Sequence, residues 1–413
     1  MKDWNSSMNI QLVKKNNVDQ DMLSYEKNLR QHKLKTAGMV VAVIAIIGLC
    51  LYGIKISLDH RSYTTCEVVR SFDRADTITT KYTEFLSCVI KYSKDGISCV
   101  DSENNLVWSQ TYNMQDPVIN VCQDSLAIAD RNGTDVMIFN QTGMQGQVQT
   151  LLPIRQISVS QQGVLAVLLE DGDTSRVNLY AKDGSQIVES KFELSETGYP
   201  LRIALSADAT KLAVSFLQVQ NGSISSCVAF YNFDSVGENY EDHLVASKIL
   251  QGTVMPDVQY TDSTHCFFAG AGELLFFEGT QIPEETADVT IEQKILSIFS
   301  SSKYVGVVTE GEEKSYALPV YNMQGKQEFR TEFDQDYTSL KFSGNNILIY
   351  NDFEYTMMNH AGNIFFEGTF EESISDLYTL SGNNRYMVLH AGRTDQIRLK
   401  WGRKSIDGYC KYC

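Results

Sequence analysis

Three features of the sequence predict an all-β fold, a β-propeller of eight blades behind one N-terminal transmembrane helix. An apolar strand motif recurs about every forty residues, a polar turn motif follows each copy, and one uncharged apolar run lies at residues 37–54.

Residues 1–36 are polar, rich in Asn and Gln, and basic, with a short helix predicted over residues 19–35. The apolar run that follows, bounded by Ala37 and Ile54, is eighteen residues without a charge and is bracketed by Lys35 and Lys55. That length crosses a bilayer as a helix. A buried helix of a soluble protein would carry polar side chains on at least one face. A cleaved signal peptide would end within about 30 residues, in small residues before the cut. Here the run only begins at residue 37, and Leu49 before Cys50 does not suit lipoprotein processing. The run is therefore read as an uncleaved anchor. Lys27, Arg30, Lys33 and Lys35 precede it, against Lys55 and Arg61 just after it, which places the N-terminus in the cytoplasm and the following domain outside. With windows of twenty residues the balance evens out at four basic residues on each side. Residues 55–64 are read as a stalk.

The chain carries a formal charge of −16, made up of +3 in residues 1–36 and −19 in the remainder. A domain that acidic does not seek nucleic acid or anionic headgroups, and its charge serves solubility. An apolar fraction of 43% with 21% charged residues is that of a globular protein with a sizeable core.

From residue 65 to 402 the chain reads as short strands. The recurring motif is Cys88-Val-Ile-Lys-Tyr92, Leu126-Ala-Ile-Ala-Asp130, Leu165-Ala-Val-Leu-Leu169, Leu212-Ala-Val-Ser-Phe216, Cys266-Phe-Phe-Ala-Gly270, Val305-Gly-Val-Val-Thr309, Ile347-Leu-Ile-Tyr-Asn351 and Tyr386-Met-Val-Leu-His390. The starts are 38, 39, 47, 54, 39, 42 and 39 residues apart. A partner strand follows each copy, such as Met137-Ile-Phe139 or Val177-Asn-Leu-Tyr180, and then a turn such as Ala181-Lys-Asp-Gly184 or Asn322-Met-Gln-Gly325. A period near forty residues with about four strands per unit is that of a propeller blade, which buries its two faces only by stacking on neighbours. Cys66-Glu-Val-Val-Arg-Ser-Phe72 resembles the outer strands of other units and is expected to complete the last blade, which otherwise ends near Trp401. The count gives eight blades, or seven if a terminal unit is degenerate; a pair of β-sandwich domains would not sustain one period. The longer spacings are read as loop insertions around residues 218–226 and 234–248, and residues 403–413 as a C-terminal tail.

Leu205-Ser-Ala-Asp-Ala-Thr-Lys-Leu-Ala-Val214 resembles the Ser-Pro-Asp-Gly-Lys-x-Leu-Ala pattern of WD40-like repeats, and the segment from Asp95 to Trp108 is similar to a quinoprotein-type repeat. With its anchor and basic tail, the chain resembles a family of uncharacterised membrane-anchored propellers from Firmicutes. The resemblance implies a fold and brings no catalytic residue with it.

Chemistry is sparse in this sequence. The six histidines, His32, His60, His243, His265, His360 and His390, are never within five positions of one another, so no helix-borne zinc motif exists; His265 and His390 abut strands and read as structural. There is no phosphate-binding loop, nucleophile elbow or calcium loop. No catalytic, cofactor-binding or metal-ligating residue is assigned. Cys88, Cys99, Cys122, Cys227 and Cys266 fall in apolar strands and read as buried thiols. Cys410-Lys-Tyr-Cys413 has redox spacing without the helix that would stabilise a thiolate, so a cross-link from Cys66 to Cys410 or Cys413 is the stronger expectation. These features make the chain a non-enzymatic scaffold at the bacterial cell envelope, single-pass in the cytoplasmic membrane, binding another envelope or membrane protein through propeller-face loops. The alternative is a propeller hydrolase or lyase with carboxylates converging in the central funnel, which a cluster of acids with shifted pKa would mark.

Overall fold

A computed structural model describes residues 32–33, 35–50, 52–53 and 62–400, except 75, 78, 173, 194–196, 221, 381 and 383. The chain divides into two compact units, Met1–Arg61 and Ser62–Cys413. In the first, residues 35–50 and 52–53 are helical. Its apolar side chains are exposed on all faces, Met39 by 71% and Leu49 by 70%. Among the described residues no helix is long and apolar enough to cross a membrane. Leu51 and Ile54 of the expected span, residues 1–31, most of the stalk, Trp401 and the tail with Cys410 and Cys413 lie outside the described residues.

The second unit is eight four-stranded antiparallel sheets. Each is built from strands consecutive in sequence, save one. The first strands of blades 1 to 8 are Lys81–Phe85, Pro117–Cys122, Ile154–Val159, Tyr199–Leu205, Asp257–Tyr260, Ile295–Ser300, Ser339–Ser343 and Ile374–Thr379. They approach one another across blade boundaries around the central channel. Each second strand carries the recurring apolar motif. Leu126, Ala127, Ile128 and Ala129, for example, are all fully buried, because the middle strands of a blade meet a neighbour on both faces. Fourth strands alternate instead, as in Gln186–Glu193, with outward polar and inward apolar residues.

The exception to consecutive order is blade 8. Its sheet runs Ile374–Thr379, Arg385–His390, Arg393–Lys400 and finally Thr65–Asp73, the strand the sequence placed there. Thr65 pairs with Lys400 and Asp73 with Arg393, with a bulge between Val68 and Arg70. Closing the ring with a strand from the far end of the chain ties the two ends of the fold into one sheet.

One insertion is not a loop. Residues 218–226 lie in a hairpin of two ten-residue strands, Lys211–Gln220 and Ser223–Asn232, in unbroken register from Lys211↔Asn232 to Gln220↔Ser223. Gly222, just before the second strand, has a φ of +79°, which glycine adopts without strain. Residues 234–243 do form an irregular insert with two short 3-10 turns before the outer strand Leu244–Gln251.

The core is divided among the seams between blades. Thirteen buried apolar side chains, among them Leu348, Tyr355 and Phe370, fill the seam of blades 7 and 8. The seam of blades 8 and 1, where the ring closes, holds only Val89, Val100, Tyr378, Met387 and Leu389. Gly306 illustrates the close packing: the ring of Phe299 lies 2.2 Å from where a Cβ would be, so a larger residue in that strand would have to push the ring aside.

Candidate functional site

The polar groups of the channel gather around blades 7, 8 and 1. A cavity of about 540 Å³ is lined by the first strands of blades 6, 7, 8 and 1, including Tyr82, Glu84, Phe299, Lys341, Asp376 and Tyr378, and by Tyr350 from the second strand of blade 7. Asp376 is its hub. Its Oδ1 accepts from Lys341 Nζ, Tyr350 OH and the Leu377 backbone N–H, and its Oδ2 from Tyr378 OH. Only 12% of its side chain is exposed. The ammonium of Lys341 also stands 3.7 Å from the ring centroid of Tyr378, a cation–π contact. Burial, reinforced by the charge of Asp376, raises the hydroxyls of Tyr350 and Tyr378 above their ordinary range, so both stay protonated as donors.

Glu84, on blade 1, accepts a 3.0 Å hydrogen bond from Ser343 Oγ of blade 7, and Ser343 Oγ in turn accepts the Thr379 N–H of blade 8 at 2.9 Å. This chain stitches together three inner strands. Burial pushes the Glu84 carboxyl above its usual value; Ser343 and Lys341 pull it down, and Asp376 adds to the rise.

Arg74, its side chain only 3% exposed, closes the ring just after the outer strand of blade 8. It donates through Nε to Asp76 at 2.9 Å, and also to the His390 carbonyl of blade 8 and the Tyr82 hydroxyl of blade 1. Burial opposes ionisation of Asp76, but Lys91 at 3.0 Å and Arg74 outweigh it and hold its carboxyl below the usual value. Burial drives the Tyr82 phenol up to about 12, against the pull of Arg74 and with help from Asp76. These groups bind blade 8 to blade 1 by charge and hydrogen bonding where apolar contact is scarce.

A second polar cleft, of about 610 Å³, opens between blades 2, 3 and 4 and is lined by Arg131, Arg155, Arg202 and Tyr199. Each arginine there meets a carboxylate: Asp116 at 2.6 Å, Glu170 at 3.4 Å and Asp257 at 3.2 Å.

The histidines singled out in the sequence are structural. His265 Nδ1 lies 2.7 Å from Asp262 Oδ2 within one turn of blade 5. His390 is fully buried, with Nδ1 3.2 Å from the Ser373 carbonyl, and burial lowers its pKa although Asp395 opposes this. They lie in different blades and form no joint site. Among the described residues no group of three or more His, Cys, Asp and Glu could hold a metal ion. Cys88, Cys99, Cys122, Cys227 and Cys266 are free, the first, second and last of them buried, and burial with Cys88 alongside pushes the Cys99 thiol up to about 12. Cys66 is disulfide-bonded, with its partner outside the described residues. The sequence reading missed Arg74, Glu84, Lys341 and Asp376. The available signal was a charged residue inside a first strand, which Glu84, Lys341 and Asp376 share and Arg74, lying after the outer strand of blade 8, does not.

The architecture is that of a closed eight-bladed β-propeller. The chain belongs to the family of unknown function DUF5711, whose model matches residues 59–399. A search of curated proteins finds no match. Among solved structures it is similar to BamB from Moraxella catarrhalis, at 14% identity and a TM-score of 0.50, over 81% of this chain and 100% of that one. It is similar too to Sqt1 from Saccharomyces cerevisiae, at 12% identity and a TM-score of 0.51, over 83% of this chain and 100% of that one. At those identities the likeness is one of fold.

Proposed function

We propose that this protein is a membrane-anchored extracytoplasmic scaffold of the bacterial envelope, with its N-terminus inside, whose propeller binds another envelope or membrane protein through its face loops without catalysis. The observation that carries the non-catalytic reading is the state of Asp376. A glycosidase-type site needs two carboxylates facing a substrate, one to protonate and one to attack or activate water. In this channel Asp376 already takes four donors from three side chains and a backbone N–H. That leaves Glu84 alone with a raised pKa, itself held by Ser343. The acids are committed to holding blades together.

Anchorage is supported by the eighteen uncharged residues at 37–54 and by the exposure of apolar side chains all round their helix, which water would not tolerate. An extracytoplasmic domain accords with the disulfide of Cys66, since such bonds persist in oxidising compartments. The irregular insert at residues 234–243 gives the scaffold one of its longer face loops.

Labelling of intact cells with a membrane-impermeant maleimide tests the topology. Ser235→Cys, in the exposed part of that insert, should label in intact cells well above the wild-type background. Labelling only after permeabilisation would place the domain in the cytoplasm and end the envelope reading.

The hydrolase reading rests on the raised Glu84 alone.

A further inference from the structure

The described part of the chain contains ten arginines, and eight of them have a carboxylate within ion-pairing distance: Arg70, Arg74, Arg131, Arg155, Arg176, Arg202, Arg330 and Arg393. Arg385 and Arg398 have none among the described residues. In a domain of charge −19, acids are plentiful, so two unmatched guanidiniums are already unusual. More telling is where they are. Arg385 and Arg398 are directly opposite each other on adjacent strands of blade 8. Residues so paired share a face with Cβ atoms about 5 Å apart, and like charges there repel.

Their surroundings do not relieve the repulsion. Glu67, opposite Arg398 on the outer strand, is engaged by Lys400. Arg385 has a single hydrogen bond, from Nη2 to Gln396 Oε1 at 3.2 Å, and its Nε is buried without a partner. Gln396, 2% exposed, is fixed by its own bond to the Ser102 carbonyl of blade 1, so it holds Arg385 at the seam of blades 8 and 1. Arg385 lines a cavity there of about 680 Å³, together with Ser87, Ser102, Gln141 and Gln396. The acids on the same wall are Glu84, Glu103 and Asp124. Glu103 is paired with Arg70, Asp124 accepts from Gln161, and Glu84 is held by Ser343 with its pKa raised.

We propose that this crevice binds an oxyanion, a carboxylate or phosphate group of a larger polar ligand, gripped by Arg385 from its wall, with the exposed Arg398 opposite it on the next strand adding a second positive charge beside the crevice. A guanidinium presents paired N–H donors that match either group in a bidentate fashion, and an anion held by Arg385 offsets its repulsion with the Arg398 charge opposite it. The hydroxyls of Ser87 and Ser102 and the amide of Gln141 supply polar contacts for the rest of the ligand. The site is independent of which side of the membrane the propeller occupies.

The test uses the full chain in detergent, with inorganic phosphate and succinate as probes and sodium chloride at matched ionic strength as control. Thermal unfolding and titration calorimetry should show saturable stabilisation by at least one probe beyond the chloride control, and the better probe identifies the oxyanion. Arg385→Gln should weaken that binding at least about tenfold, the loss of one charge-assisted pair. Arg398→Glu gives Arg385 the carboxylate it lacks, so it should raise the melting temperature of the unliganded protein and abolish binding. This second variant keeps the test open should Arg385→Gln fold poorly. The proposal is overturned if neither probe stabilises beyond chloride, or if Arg398→Glu binds as well as the wild type or melts lower without ligand.

Discussion

The seam between blades 7 and 8 and the seam between blades 8 and 1 are built from the same kinds of strand but are held in opposite ways. The first buries a continuous apolar layer, from Leu348 and Met357 on one blade to Leu377 and Val388 on the other. The second buries five apolar side chains and substitutes a polar frame: Arg74 reaching the His390 carbonyl, Gln396 the Ser102 carbonyl, and Arg70 the carboxylate of Glu103. Blades 7 and 8 are joined by continuous chain, whereas the three C-terminal strands of blade 8 meet blade 1 only when the ring closes, the chain link between these blades running from the outer strand Thr65–Asp73. Apolar layers reward approximate contact, while charged networks reward one geometry and penalise all others. A polar closing seam therefore specifies where the ring shuts, and it leaves the space and the unmatched arginines from which a ligand site can be made.

The largest expected effect is that of Asp376→Asn, on the channel side of the seam of blades 7 and 8. It leaves Lys341 in a mostly buried position without its carboxylate, and removing one member of a buried pair costs about 3–5 kcal/mol, to be read by chemical denaturation. Leu348→Ala, in the apolar seam, should cost about 2–5 kcal/mol because the packed layer cannot collapse around the void. Met387→Ala, beside the open cavity of the closing seam, should fall at the low end of that range. If Met387→Ala cost more than Leu348→Ala, the two seams would not differ as described. Cys66→Ser removes the cross-link on the closing strand and should destabilise by about 2–4 kcal/mol, with no effect of reductant on the variant. Intact-mass measurement with and without reductant checks the bond directly.

The smallest effect is one of pH. Glu84 has a raised pKa in the folded state, so the folded protein holds this proton more tightly than the unfolded chain. Its contribution is fully present below the unfolded value of about 4.3 and is lost as pH rises through the folded pKa. Glu84→Gln keeps a partner for Ser343 and removes the titration. The variant should match the wild type at pH 4 and melt higher than it at pH 7. Equal melting temperatures at both pH values would mean that Glu84 is not desolvated.

Much of this fold could be read from the sequence because each blade is a local unit. The second strands, with their runs such as Leu126-Ala-Ile-Ala, announce themselves by burial on both faces, and the closing strand was recognisable by its likeness to the outer strands of other units. The hairpin around Gly222 was read as a loop because its ten-residue strands exceed the repeat and its tip residues Val219 and Ile224 are exposed. The polar seam was not legible for a different reason. Ser343 meets Glu84 across 259 positions and Gln396 meets Ser102 across 294. An alternating pattern tells which residues leave a strand on the same side, but not which distant strand will face them.

In the reading proposed above, the channel acids hold the ring together instead of acting on a substrate. A double-mutant cycle on Lys341→Met and Asp376→Asn tests it most directly, with stability measured for the wild type, both single variants and the double. If the pair is a structural lock, the double variant should be more stable than the sum of the single losses by at least about 1 kcal/mol, because no unpaired charge remains buried. Additivity within about 0.5 kcal/mol would show that Lys341 and Asp376 do not hold each other, and would return Asp376 to the candidates for chemistry.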